Sequence, residues 1–303
     1  MPLVIDTNVV RHIGAGDVDP SGLSEVVREG VTVHLADGAF VELTHQLLTR
    51  SLKWDHWERA RKILLETISR DKPVLPGGRE GLIGIGITGL QPTLPGEIEA
   101  GLELYDAAWT MLVAANQYED FEKMSIRLPN QGCSVSLNQE YVLATYAKQR
   151  DSWPIEFASF YEKVIEVSPE LPDSLPTRGD SAETLEIWLK SMREKVDANH
   201  QSTGPRLSTR LDAFLRVSAL LDLRHLRKDQ RYNPQKNRND LFDHELLRYL
   251  AVPAAVCTGD LGLIAKVRDS HSWQIGWIFQ VEDLLRPDVR AGIKNMEWPD
   301  EAA

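Results

Sequence analysis

Leu3, Val4 and Ile5 form a short apolar block that ends at Asp6 and the polar pair Thr7 and Asn8. Such a block predicts a buried strand with a carboxylate at its end. A turn-rich stretch, GAGDVDPSG over 14–22, follows, then a helical pattern from Ser24 to Glu29 and the alternating strand VTVHLA over 31–36. The next segment predicts a helix with Asp37 as its N-cap and Phe40, Leu43, Leu47 and Leu48 at helical spacing. The chain closes in the same manner. A helix is predicted over 237–251 with Asn239 or Asp240 near its start, then a buried strand over 253–258 and a helix opened by GDLGLIAKV. A strand over 273–279 and a short helix, VEDLLR, complete this end. Alternation at both ends predicts one α/β sheet assembled from the two ends of the chain.

The middle reads differently. KWDHWERARKILLETISR and EIEAGLELYDAAWTMLVAANQYEDFEKM place apolar residues three and four apart, which is a helical period. Gly/Pro-rich connectors occupy 73–97 and 167–180. The expected organisation is a discontinuous α/β domain, residues 1–51 and 231–303, carrying a mainly helical insertion or cap over 52–230. With 303 residues and 42% hydrophobic content the chain can bury a substantial core.

Charge and cysteine content narrow the setting. A formal net charge of −11 argues against a surface that clings to nucleic acid everywhere, while leaving room for a local basic face. No apolar run approaches the roughly 20 residues that cross a bilayer, so no membrane partner is expected. Asp6 interrupts the first apolar stretch, which lacks the basic start of a signal peptide. The two cysteines, Cys133 and Cys257, are far apart and fit neither zinc spacing nor a CxxC pair. A reducing, cytoplasmic setting is the expectation.

The candidate chemistry lies in carboxylates. Asp6 ends the first strand, and Glu42 lies one turn into the helix after the second. Asp240 and Asp243 are three apart at a helix start, so they share a face. Asp260 follows the strand ending at Thr258. In a parallel sheet the carboxyl ends of strands and the amino ends of the following helices open on one edge. Separate segments therefore bring acids to one rim. Carboxylates gathered in this way repel unless they share protons, meet basic groups or bind a hard cation. Mg²⁺ and Mn²⁺ take oxygen ligands of this kind and can activate water toward a phosphodiester.

VIDTNVV, FVEL, NDLFDHELLRYL and VCTGD stand in the order found in PIN-domain nucleases, which this chain resembles over roughly residues 1–50 and 237–285. The resemblance implies a Rossmann-like parallel sheet flanked by helices and an acid cluster that binds Mg²⁺ or Mn²⁺ and cleaves RNA. On it, Asp6, Glu42, Asp243 and Asp260 are the successive acids and Asp240 is the additional one. Asn8 supports the first acid, and Thr258 is the hydroxyl residue before the last. Asp6, Asp243 and Asp260 are expected to hold the metal, with Glu42 and Asp240 binding a second ion or orienting water. Roles as a toxin, in RNA processing or in phage defence follow from the resemblance without a choice among them, as do a protein inhibitor or a homo-oligomer as further partners. The chain between the second and third acids is far longer than in compact members.

Each acid also has an ordinary explanation. Asp6 can cap a turn, Asp240 and Asp260 can cap helices, and Glu42 can face solvent. The stretch from Arg206 to Arg238 is rich in Arg and Lys. Its end, Arg227, Lys228, Arg231, Tyr232, Lys236 and Arg238, runs into the acid pair and is the candidate nucleic-acid contact. Its alternative is a solvated helix face and loop. The eight histidines show no metal-binding spacing, and the tryptophans read as core anchors. Two other functions stay open beside the ribonuclease: a binding or scaffold protein that kept the fold without chemistry, and a DNA-structure nuclease or phosphatase on the same metal site.

Overall fold

A computed structural model of the chain describes residues 2–75, 97–122, 125–127, 134–136, 139–170, 175, 182–198, 205–226, 233–237, 240–252 and 254–297. Strand β1 (Pro2–Ile5) leads into helices α1 (Thr7–Ala15) and α2 (Ser21–Arg28), then β2 (Thr32–Ala36) and α3 (Asp37–Leu48). Helix α4 (Trp54–Thr67) and β3 (Val74–Leu75) follow. The middle supplies α5 (Glu97–Ala114), α6 (Tyr118–Glu122), the strand pair β4 (Ser125–Arg127) and β5 (Ser134–Ser136), and α7 (Gln139–Val167). Next come α8 (Ala182–Ala198), α9 (Leu207–Arg210) and α10 (Asp212–Leu226). The C-terminal part holds α11 (Asp240–Leu246), β6 (Ala255–Cys257), α12 (Leu261–Asp269), β7 (Ile278–Phe279) and α13 (Pro287–Lys294).

Five strands form one all-parallel sheet in the order β3-β2-β1-β6-β7, flanked by helices. Pairing runs from Leu3 to Val33 on one side of β1 and to Ala255 on the other. A central parallel strand is covered on both faces, which is why Leu3, Val4 and Ile5 are all fully buried. The two ends of the chain meet between β1 and β6, as the alternating pattern predicts. That junction is where the strand order reverses, the place at which an open parallel sheet splays its loops and leaves a crevice.

The edge strand β3 comes from within 52–230, so this stretch supplies part of the sheet as well as helices. The buried apolar side chains of β1, α4, α10 and β6 belong to one continuous core. Gly14 lets α1 approach α4, since a Cβ there would stand 2.5 Å from the His56 carbonyl oxygen.

Some predicted elements differ. The strand expected over 273–279 is a 3-10 turn from Trp273 to Trp277, and only Ile278–Phe279 pair in the sheet. Gln274 explains this. It is fully buried, and its side chain accepts from Ala213 N at 2.8 Å and donates to Arg210 O at 3.0 Å and Leu250 O at 2.9 Å. An amide that ties three segments together cannot sit on an alternating strand. The helix expected over 237–251 becomes α11 and a 3-10 segment, Leu247–Ala251. In that segment the buried Tyr249 hydroxyl donates to Asp37 Oδ1 and accepts from Asp37 N, both at 2.9 Å, anchoring it beside α3. Asp37 itself lies inside the first turn of α3, after the N-cap Ala36. Helices α1 and α13 went unpredicted, and VEDLLR is a 3-10 turn, Glu282–Leu285. Most of both Gly/Pro-rich connectors, and Asn239, lie outside the described residues.

Candidate metal centre at the carboxyl edge of the sheet

Asp6 sits at the end of β1 in extended conformation, and its side chain caps nothing in α1. Buried to 8% exposure, its Oδ2 instead accepts from Thr258 Oγ1 at 2.6 Å and from Asn8 Nδ2 at 3.3 Å. Thr258 lies just past β6 and is fully buried. Its oxygen also accepts from Asp260 N at 3.0 Å, so a single hydroxyl links the two strand-end acids. Burial raises the Asp6 pKa. Thr258 and Asn8 oppose this, and the Asp260 charge adds to it. Gly259 keeps the loop tight: a Cβ there would stand 2.7 Å from the His12 ring.

Asp260 is the N-cap of α12. Its Oδ1 accepts from Gly262 N at 2.6 Å and Leu263 N at 3.0 Å. The capping explanation therefore holds for this acid, and it leaves Oδ2 outside the cap. Asp240 begins α11 and is buried to 6% exposure. Its Oδ1 accepts from Lys266 Nζ at 2.7 Å, whereas its buried Oδ2 has no hydrogen-bond partner.

Asp243, one turn further along α11, is the most perturbed of these acids. Burial pushes its carboxyl well above the ordinary range, and the charges of Asp260 and Asp6 push it further. Lys266 pulls the other way, and Asp240 adds to the rise. Glu42, on α3, is raised by burial and by Asp6, against the Thr7 hydroxyl, Arg11 and Gln46. Gln46 Nε2 donates to Glu42 Oε1 at 2.9 Å.

Asp243 stands between two depressions. A cleft of about 660 Å³ is lined by Arg150, Gln235, Lys236, Asn237, Asp240, Asp243, Asp260, Gly262 and Lys266. Asp6, Glu42 and Asp243 share a smaller recess with Thr7, Asp37 and Tyr249. Asp240 and Asp260 thus face one side of Asp243, and Asp6 and Glu42 the other.

The donors suit a hard cation in type: all are oxygen, and several are held against mutual repulsion. The partnerless Asp240 Oδ2 is a further unfilled demand at the cleft. Convergence is incomplete. Among the described residues, no three His, Cys, Asp or Glu side chains are grouped closely enough to hold a metal ion.

His244 is turned away from the acids. Its ring stacks on Phe214 at 4.0 Å, Nε2 lies 2.9 Å from both Ser218 Oγ and Phe214 O, and burial lowers its pKa to about 4. Of the candidate nucleic-acid contacts, Lys236 is exposed and lines the larger cleft. Arg227, Lys228, Arg231, Tyr232 and Arg238 lie outside the described residues. Earlier members of the basic stretch are engaged in the fold. Arg216 pairs with Asp212 and Glu186, and Arg224 with Asp269 at 2.8 Å.

Lys266 and Arg150 line the cleft beyond the acids that the sequence pattern marks. Lys266 had a signal, since it lies four residues after Gly262 on the helix that Asp260 begins, and both reach the cleft. Arg150 arrives from the helical middle, where no local pattern marks it.

No protein-family model, curated protein or solved structure matches the chain. Among the described residues no helix is long and apolar enough to cross a membrane.

Proposed function

We propose that this chain is a PIN-like, divalent-metal-dependent phosphodiesterase acting on RNA as an endoribonuclease, with residues 52–230 carrying a mainly helical insertion. One observation carries the reading: separate segments deliver acids to the crevice where the strand order reverses, and Asp243 lies among them under the repulsion of Asp260, Asp6 and Asp240. Asp6, Asp243 and Asp260 would hold Mg²⁺ or Mn²⁺. Such an ion, when bound, offsets the phosphodiester's negative charge and lowers the pKa of water. The chain's own groups account for the rest. Thr258 and Asn8 fix the orientation of Asp6. Glu42, with its raised pKa, is suited to take up a proton at the recess. Lys236 and Arg150 line the cleft as positive groups for the flanking phosphates.

The test is a panel of single-stranded RNA, DNA and a small phosphodiester incubated with Mn²⁺, comparing the native chain with Asp6→Asn. Cleavage of RNA by the native chain alone supports the reading. Preference for DNA or the small ester moves the site to a DNA nuclease or phosphatase, and inactivity on all three sinks it.

A second reading has its own support. Asp260 spends Oδ1 on a helix cap, Asp240 spends Oδ1 on Lys266, and the acids do not yet converge. A binding scaffold that kept the fold without the chemistry accounts for those features. Calorimetric titration with Mn²⁺ separates the two, because the scaffold takes up no ion.

A further inference from the structure

Two buried polar atoms of the larger cleft lack a hydrogen-bond partner, and they are of opposite kinds. One is Asp240 Oδ2, an acceptor on a residue buried to 6% exposure. The other is Arg150 Nε, a donor. Both residues line the cleft of about 660 Å³. Buried polar atoms are seldom left unpaired, and each case calls for an explanation. These two come from distant parts of the chain. Asp240 begins α11, whereas Arg150 lies on α7, which packs along α3. There the His45 pKa is lowered by burial and then by the Arg150 charge, so the guanidinium stands close to α3.

Lys266 decides which oxygen of Asp240 is left to a ligand. Its Nζ donates to Oδ1 at 2.7 Å, which engages that oxygen and holds the carboxylate in one orientation. Oδ2 then needs a donor, while the guanidinium of Arg150, which has no acceptor of its own, needs one. A ligand that meets both demands carries a hydroxyl beside an anion. A ribonucleotide in a strand does, since its 2′-hydroxyl stands next to its 3′-phosphate. A deoxyribonucleotide offers the phosphate alone.

Resting on the phosphodiesterase reading, we propose that Asp240 is the residue that tells RNA from DNA: its Oδ2 accepts a hydrogen bond from a 2′-hydroxyl while Arg150 Nε donates to the phosphate beside it. Lys266 is a positioning residue that acts through Asp240. The two contacts have separable effects. Arg150 meets a group common to RNA and DNA, so it supplies affinity without choice. Asp240 meets a group that DNA lacks, so it supplies the choice. A hydrogen bond to an ionised group is worth a factor of about ten or more in affinity. The helical middle takes part in the site through Arg150.

Fluorescence anisotropy tests this without cleavage. A labelled single-stranded RNA, its 2′-O-methyl form and DNA of the same sequence are each titrated with the full-length chain in EDTA. The native chain should bind RNA about tenfold more tightly than either analogue, because methylation removes the donor and keeps the oxygen. Asp240→Asn should bring the three within about twofold of one another: Lys266 can only donate, so the amide oxygen faces it and an NH₂ donor faces the cleft. Arg150→Met should weaken all three alike, keep the preference and lower the salt slope by about one. The ratio between RNA and its analogues is a readout that a merely structural Asp240 would not move. Should Asp240→Asn fold poorly, the analogue series on the native chain still decides. Equal binding of RNA and its 2′-O-methyl form by the native chain, or a preference that persists in Asp240→Asn, overturns the proposal. Cleavage of RNA in Mn²⁺ would then leave the phosphodiesterase reading standing. A native chain that neither binds nor cleaves RNA removes both.

Discussion

Asp212, buried to 4% exposure, and Asp243, partly buried at the cleft, are both carboxylates, and the molecule treats them in opposite ways. Asp212, at the start of α10, accepts from Arg216 Nε at 2.8 Å, Arg193 Nη2 at 3.3 Å and Ser272 Oγ at 2.7 Å. Glu186 joins the same arginines. Burial alone would raise Glu186, but Arg216 and then Arg193 outweigh it, and the pKa falls below the ordinary value. Asp243 meets three carboxylates and one lysine, and its pKa climbs. The first cluster is complete as it stands. The second gathers carboxylates at the carboxyl edge of the sheet with fewer counter-charges than acids. Acid content alone therefore says little, and the counter-charges around each acid separate a structural cluster from a candidate site.

The largest expected effect breaks the comparison at its functional end. Asp6→Asn should reduce RNA cleavage in Mn²⁺ by about 10³-fold, while circular dichroism and melting stay near native, because the amide still accepts from Thr258. Cleavage within tenfold of native would remove Asp6 from the site. The matching change in the other cluster is Arg216→Ala. It should cost about 4 kcal/mol of stability in urea unfolding, since Asp212 is then left buried with reduced compensation. Mn²⁺ affinity should stay within about twofold, and a loss of metal binding there would show that the two clusters are not independent.

A third buried carboxylate sharpens the comparison. Asp222 sits against Tyr161 and Trp188, with Trp188 Nε1 donating at 3.3 Å. Burial raises its pKa to about 6, against the hydrogen bonds from Tyr161 and Trp188. Its folded pKa lies above the ordinary 3.8, so the stability it contributes is fully present below about pH 3.8 and is lost as pH rises through about 6. Solvent reaches part of the residue, which holds the effect to about 2 kcal/mol. Asp222→Asn should therefore gain on the native chain between about pH 4 and pH 7, measured as the difference in melting temperature. An equal difference at both pH values would show that Asp222 titrates normally.

Sequence pattern reached the sheet edge more reliably than the interior of the site. The run Leu3–Ile5 and the strand before Thr258 are apolar because both faces are covered, so strand ends, and the acids on them, could be read directly. Thr258 and Asn8 fall beside Asp6 for the same reason, being local to those ends. Lys266 is not legible from local pattern, because its meaning depends on α12 packing near α11, a long-range fact. Gln274 misled because one buried amide with three partners overrides an apolar pattern. The basic run from Arg206 mixed two kinds of residue that composition cannot separate: Arg216 and Arg224 are spent on ion pairs within the fold, while Lys236 lines the cleft.

The smallest expected effect bears on whether the unspent charge is really there to be met. An ion that binds only the folded chain stabilises it in proportion to the logarithm of its concentration over Kd. At Mn²⁺ about ten times Kd this is about 1.4 kcal/mol, or about 2 °C for a chain of this size. EDTA should reverse the shift. Its pattern across variants matters more than its size. Arg216→Ala, although less stable, should keep the full shift, because its carboxylates are not those the ion meets. Asp243→Asn should lose the shift, and its metal-free form should melt no lower than the native chain, since replacing one of several like charges relieves repulsion on Asp6 and Asp260. A metal-free Asp243→Asn that melts well below native would mean that the carboxylate is already compensated in the apo fold. The contrast between Asp212 and Asp243 would then be one of degree, and the case for a cation at this edge would fail with it.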